Sequence, residues 1–200
     1  MPSHRPPRLP GQVALPGQKG AAPSPAGLEP FNTAAPDAAE RALLTCCRSL
    51  RWARRLADHR PYPDLEALLA AADEAAYDLT PTDLAEALAG EPLTALPASA
   101  YSAAHTALGA AQAAYESRFG HVFVICLDDF DPAEALDQVL AGIRSRLVND
   151  PEEERALAGE ELRRLARGRL ARLVQAFEAG SDERPESSGS GRPDSPYVPV

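Results

Sequence analysis

Arg118-Phe119-Gly120-His121-Val122-Phe123-Val124-Ile125 is the stretch on which the fold class turns. From His121 to Leu127 the chain is β-branched and aromatic and carries no Asp, Glu, Lys or Arg, which is the composition of a strand. No second segment has convincing strand character, and a lone strand has nothing to pair with. The run is therefore expected as an extended connector, and the fold class as all-α: a single compact multi-helix domain with one extended segment. An apolar, extended interruption of helix is also where a ligand site is expected.

Both sides of this segment read as helix. Upstream, residues 97–118 are alanine-rich, and Tyr101, His105, Leu108, Gln112 and Tyr115 recur at alternating steps of four and three, so they share one helix face. Gly120 stops that helix. Downstream, Asp131-Pro132 is expected to cap a helix through Leu147, and Asn149-Asp150-Pro151-Glu152 to start a last one reaching about Phe177. Nearer the N-terminus, one helix begins after Pro36-Asp37. A second carries Trp52 and Leu56 on one face before Pro61 and Pro63 break it. Residues 64–79 place Leu65, Leu68, Leu69 and Ala72 at helical spacing. Thr80-Pro81 then starts a short helix that Gly90 is expected to end in the usual C-terminal position.

The ends differ in kind. Residues 1–30 and 180–200 are rich in Pro, Gly and Ser and are expected as disordered tails around a folded domain at 31–179, large enough for its own core. The net charge of −9 works against a nucleic-acid partner, since phosphate neutralisation needs a positive surface. No run reaches membrane-spanning length and no secretory signal stands at the N-terminus, so a soluble, cytoplasmic chain without a membrane partner is expected. Cys46, Cys47 and Cys126 are an odd set that reads as reduced, buried small residues, with no metal-ligand spacing. Most of the arginines at 163, 164, 167 and 172 read as solvated helix faces.

Three features carry candidate chemistry. Glu91-Pro92 follows a helix end, where proline stiffens the backbone that presents the carboxylate, although an ordinary loop acid has the same appearance. His105 lies on the stripe with Tyr101 and Gln112; a packed, hydrogen-bonded histidine is the bland alternative. A carboxylate and an imidazole brought into one pocket would split acid and base roles. Arg169 follows Gly168 inside the last helix, where a glycine costs about 1 kcal/mol relative to alanine and suggests close approach of another backbone or a ligand. Its guanidinium could grip a carboxylate with two hydrogen bonds. No phosphate loop, dinucleotide fingerprint, metal-spaced Cys or His set or nucleophile elbow is present.

Phe31-Asn32, Cys46-Cys47, Arg51-Trp52, Arg60-Pro61-Tyr62, Tyr115 with Arg118-Phe119-Gly120, Arg146-Leu147, Asn149-Asp150-Pro151 with Glu154, and Glu160-Glu161 with Arg169-Leu170 form an ordered set. It resembles the 2-oxo-4-hydroxy-4-carboxy-5-ureidoimidazoline (OHCU) decarboxylase family over residues 31–174. The resemblance implies a cofactor-independent enzyme of urate degradation that converts OHCU to (S)-allantoin, binding a small-molecule ureidoimidazoline carboxylate and, by analogy, working as a homodimer. It also implies that Arg169 binds the substrate carboxylate and that Phe123, Val124, Ile125 and Cys126 present main-chain groups to the ring. Ser102 matches the serine that precedes the family's Glu-Gln pair.

The acid-base positions depart from the family pattern. Where the family has His-Pro this chain has Glu91-Pro92, and where it has Glu-Gln this chain has His105-Thr106. If histidine and glutamate have traded places, the catalytic pair is Glu91 and His105, with Pro92, Ser102 and Thr106 lining the substrate. The alternative is a non-catalytic or repurposed helical ligand-binding or interaction module on the same scaffold.

Overall fold

The computed structural model describes residues 28–93 and 102–182, with the side chains of residues 102–105 and 178–182 outside the description. It contains α1 (Glu29–Thr33), α2 (Pro36–Leu44), α3 (Leu50–Asp58), α4 (Leu65–Tyr77), α5 (Pro81–Gly90), α6 (Ser102–Phe119), α7 (Ala135–Arg146) and α8 (Pro151–Asp182). There is no strand among the described residues, as the lack of a pairing partner for residues 121–127 implies. Several starts follow local chemistry. Ser49 and Asp64 accept hydrogen bonds from Trp52 N and Ala67 N, and Thr80 with Asp83 forms a reciprocal capping box ahead of Pro81.

Leu28 is buried and α1 starts at Glu29. Element boundaries depart from expectation in three places. α8 runs past Phe177, where its end was expected, to Asp182. Asp131 caps only a turn, accepting from Ala133 N at 2.8 Å, and α7 itself starts at Ala135. Gly90 is the last residue of α5 and has no positive φ; the only positive-φ glycine among the described residues is Gly120, at 76°. Gly90 instead makes room: a Cβ there would lie 2.5 Å from Cδ and 2.8 Å from Cβ of Arg48.

α8 is the spine. It packs against α1 and α4, while α2 packs on α3, α3 on α4, and α6 on α7. At about 100° per residue, Leu162, Ala166, Leu170 and Val174 form one stripe, and all four are buried. Trp52 is fully buried in the same core and donates its indole N–H to Ala72 O at 3.0 Å. Arg60 reaches back to the carbonyls of Phe31 and Ala34 at 2.7 and 2.9 Å, and Asn32 pairs in both directions with the backbone of Tyr62. Several motif residues of the ordered set are thus spent on fastening the N-terminal helices.

The segment 121–127 separates two apolar clusters. Val122 and Val124 join the large core around Trp52 and Leu170, whereas Phe123, Ile125 and Leu127 join a smaller one with Tyr115, Val139 and Ile143. This is strand periodicity without a sheet: successive side chains point to opposite sides, and each side has its own core.

The segment is held by a buried polar hub. Arg146 donates from Nη1 to Val124 O at 2.8 Å and from Nε to Glu154 Oε1 at 2.8 Å. Tyr115 donates its hydroxyl to the same carboxylate oxygen, and Asn149 Nδ2 reaches Oε2 at 2.9 Å. Glu154 is fully buried in the first turn of α8, where the helix dipole also favours its negative charge. Burial and the Glu154 hydrogen bond raise the Tyr115 pKa, so it remains a donor.

Two outcomes are expected from this packing. Glu154→Ala leaves Arg146 buried without its counter-charge and should cost about 3–5 kcal/mol in urea unfolding, against about 1.5–3 kcal/mol for Tyr115→Phe, which removes one donor. Equal, small shifts in midpoint would show that the hub is not holding the helices together. Gly168→Ala should be neutral or stabilising. Its Cβ would be obstructed by the end of the exposed Asp128 side chain, with the Arg172 guanidinium in ordinary contact, and Asp128 can swing away while α8 gains about 1 kcal/mol of helix propensity. Gly90→Ala should destabilise, since the obstructing atoms include Arg48 Cβ. Paired thermal melts decide between these signs.

Candidate ligand site at the α5 end and α8

Arg169 is the arginine of α8 that the helix geometry turns toward the candidate site. Relative to the buried stripe, Arg163 and Arg167 flank one side and Arg169 the other. Arg163 and Arg167 both bind Asp73 of α4, at 2.6 and 2.7 Å, while Arg164 and Arg172 pair with Asp129 and Asp128. Arg164, Arg167 and Arg172 lie on solvated faces as expected, whereas the Arg163 side chain is only 17% exposed because Asp73 and Glu160 hold it against the helix.

Arg169 meets Glu91. Its Nη1 donates to Oε1 and its Nη2 to Oε2, both at 2.8 Å, and Nη1 also donates to Cys46 O at 3.1 Å. This is the two-point fork geometry of a guanidinium on a carboxylate. The Glu91 side chain is only 2% exposed and that of Arg169 26%, so the pair closes at the edge of the core. The hydrogen bonds from Arg169 to Glu91 raise the arginine's pKa. Beside them, burial holds the thiol of Cys46 above its usual range and pushes that of Cys47 up to about 12. Neither thiol is a nucleophile at neutral pH.

Glu91 and Arg169, from distant parts of the chain, therefore meet, while the third group of the expected constellation, the His105 side chain, lies outside the described residues. The carboxylate that Arg169 grips is the protein's own. Glu91 is placed by the end of α5, where it is the C-cap with extended backbone (φ −70°, ψ 138°) and donates its N–H to Leu88 O at 3.2 Å. Pro92 follows it and is exposed. Gly168 has another explanation than a ligand or a backbone: a Cβ there would lie 2.4 Å from Oδ2 of Asp128, so a side chain makes the close approach.

In the extended segment, Phe123, Val124 and Cys126 are buried and Ile125 is half-buried. Two main-chain groups are already engaged: Val124 O by Arg146, and Cys126 N, which donates to Glu161 Oε2 at 2.7 Å. Cys126 also lines an open cleft of about 440 Å³ with Asp128, Arg164, Arg167 and Gly168. Thr106 is exposed on α6. Ser102 and His105 belong to the first turn of α6, and their side chains lie outside the described residues, as does Tyr101. Leu108, Gln112 and Tyr115, the rest of that stripe, are buried together.

Sequence reasoning about the site missed Cys46, whose carbonyl shares Arg169, and the second layer of Arg146, Glu154 and Glu161 that fastens the extended segment. All four stand in the ordered motif set, which signalled that they matter without saying how. Among the described residues no group of three or more His, Cys, Asp or Glu could hold a metal, and no helix is long and apolar enough to cross a membrane.

Comparison with known proteins places this scaffold. The chain is similar in fold to the crystal structure of an OHCU decarboxylase in the presence of (S)-allantoin, with 23% identity, 66% of this chain and 96% of that one covered, and a TM-score of 0.58. It is also similar to the crystal structure of an (S)-allantoin synthase, with 19% identity and a TM-score of 0.59, over 73% of this chain and 53% of that one. At these identities the likeness speaks for the fold. No curated protein is significantly similar to the chain in sequence. The family model of OHCU decarboxylase, however, matches residues 32–171, which spans every described helix from α2 to α7 and most of α8. The chain belongs to the OHCU decarboxylase family.

Proposed function

We propose that the protein is a decarboxylase that converts OHCU to (S)-allantoin without a cofactor, using a rearranged acid-base pair. The observation that carries this reading is the fork of Arg169, held at the end of α5 in a geometry that binds a carboxylate. In the proposed cycle Arg169 binds the substrate carboxylate and Glu91 takes the proton of the substrate hydroxyl. The bond from the ring to the carboxylate then breaks, carbon dioxide leaves, and its electron pair stays with the ring. His105 delivers a proton to one face, which sets the S configuration. Pro92, Ser102 and Thr106, with the main chain of Phe123, Val124, Ile125 and Cys126, would line the ring. The three buried, unpaired thiols support work in a reducing compartment, the cytoplasm, and the family resemblance supports a homodimer.

A second reading has its own observation. Glu91 already satisfies Arg169, and a site closed on itself in this way suits a helical module that binds a different ligand or none.

Freshly generated OHCU incubated with purified protein separates the two. Circular dichroism should show (S)-allantoin accumulating in excess over the racemic product of spontaneous decay; no excess rejects the enzyme reading. Arg169→Lys keeps the charge and loses the fork, and is expected to lower kcat/KM about ten- to a hundredfold. His105→Ala should lower kcat at least about a hundredfold if His105 is the proton donor. Turnover unchanged in that variant would remove it from the mechanism.

A further inference from the structure

We propose that Glu91 is an internal stand-in for the ligand's carboxylate on Arg169, and so the residue that decides by charge which ligands the site accepts and releases. The inference rests on the reading of Arg169 as the carboxylate-binding group. Glu91 Oε1 and Oε2 occupy both prongs of the fork at 2.8 Å each, and a third contact, to Cys46 O at 3.1 Å, further holds the guanidinium in place. A ligand carboxylate that uses the fork must therefore take the place of Glu91. A ligand without negative charge cannot do so, because it would leave a three-quarters buried guanidinium with no counter-charge.

The position of Glu91 permits the exchange. It is the C-cap of α5, its backbone is already extended, and Pro92 and Leu93 beyond it are exposed. Rotation of its side chain breaks no helical hydrogen bond. Over a reaction cycle the exchange has a direction. A carboxylate substrate displaces Glu91, and once the carboxylate has left as carbon dioxide the uncharged product no longer competes. Glu91, after releasing to solvent the proton it took from the hydroxyl, then returns to Arg169 as a carboxylate. A histidine at this position, as in the family pattern, would leave the fork open throughout.

Isothermal titration of the full chain with hydantoin-5-acetate, a stable ring carboxylate, and with (S)-allantoin, which lacks the carboxylate, tests this. Glu91→Gln should bind hydantoin-5-acetate at least about tenfold more tightly than the unaltered protein. The gain should vanish in Glu91→Gln/Arg169→Gln and be absent for (S)-allantoin. Where Glu91→Gln melts too low to titrate, Glu91→His serves in its place with the same expectation. With OHCU as substrate, Glu91→Gln should lower KM while lowering kcat, a split that a merely structural role would not produce. Equal affinity of the folded variant and the unaltered protein for hydantoin-5-acetate, including no detectable binding by either, overturns the proposal. Stereoselective turnover without the affinity gain removes this inference and leaves the decarboxylase, whereas the gain without turnover does the reverse.

Discussion

A fully buried carboxylate holds this molecule together. Glu154 accepts from Tyr115 of α6, Arg146 of α7 and Asn149 ahead of α8, and Arg146 in turn ties down the carbonyl of Val124. Such a charge is tolerable in the interior only when every lone pair has a donor, and the donors come from three separate parts of the chain. Satisfying one side chain thus fixes α6, α7, α8 and the extended segment relative to one another. The two apolar clusters form on either side of that segment, and the alternation of its side chains between them is possible because its backbone is held by polar partners.

The same constraint governs the candidate site, with a different result. Arg169 approaches the interior beside Cys46 and needs a counter-charge in the absence of a ligand. In this chain Glu91 supplies it, so the pocket's cation is neutral in sum before anything binds. An arginine awaiting a substrate must otherwise be kept partly hydrated, at a cost to stability. On the proposed reading, a glutamate where the family pattern has histidine removes that cost and gives substrate binding a competitor. The proposed exchange of residues at 91 and 105 would then be more than a swap of acid and base along the chain, because it sets the resting charge state around Arg169.

The ordered motif set that links the chain to its family is mostly scaffold. Asn32, Arg60 and Tyr62 fasten α1 to the α3–α4 connection, Tyr115, Arg146, Asn149 and Glu154 build the hub, and Glu161 holds Cys126 N. Only Arg169 and the carbonyl of Cys46 lie in the site itself. A family signature built this way stays recognisable even if acid-base residues change as proposed, since packing and polar burial constrain many positions and the chemistry only a few.

Much of the architecture was legible in the chain. Helical periodicity, the capping signal at Thr80, and the absence of a pairing partner for residues 121–127 are local or one-dimensional properties, and they suffice for an all-α fold with one extended connector. Glycine meaning was legible only in part. Gly120 has the positive φ of a helix stop, but Gly90 and Gly168 are small because Arg48 and Asp128 crowd them, and steric neighbours from elsewhere leave no trace in local spacing. The guanidinium's interest in a carboxylate could be read from residue type, yet which carboxylate it holds could not. Glu91 and Arg169 are 78 positions apart, and ion pairing selects partners by distance in space and by burial, which exist only once the helices have packed.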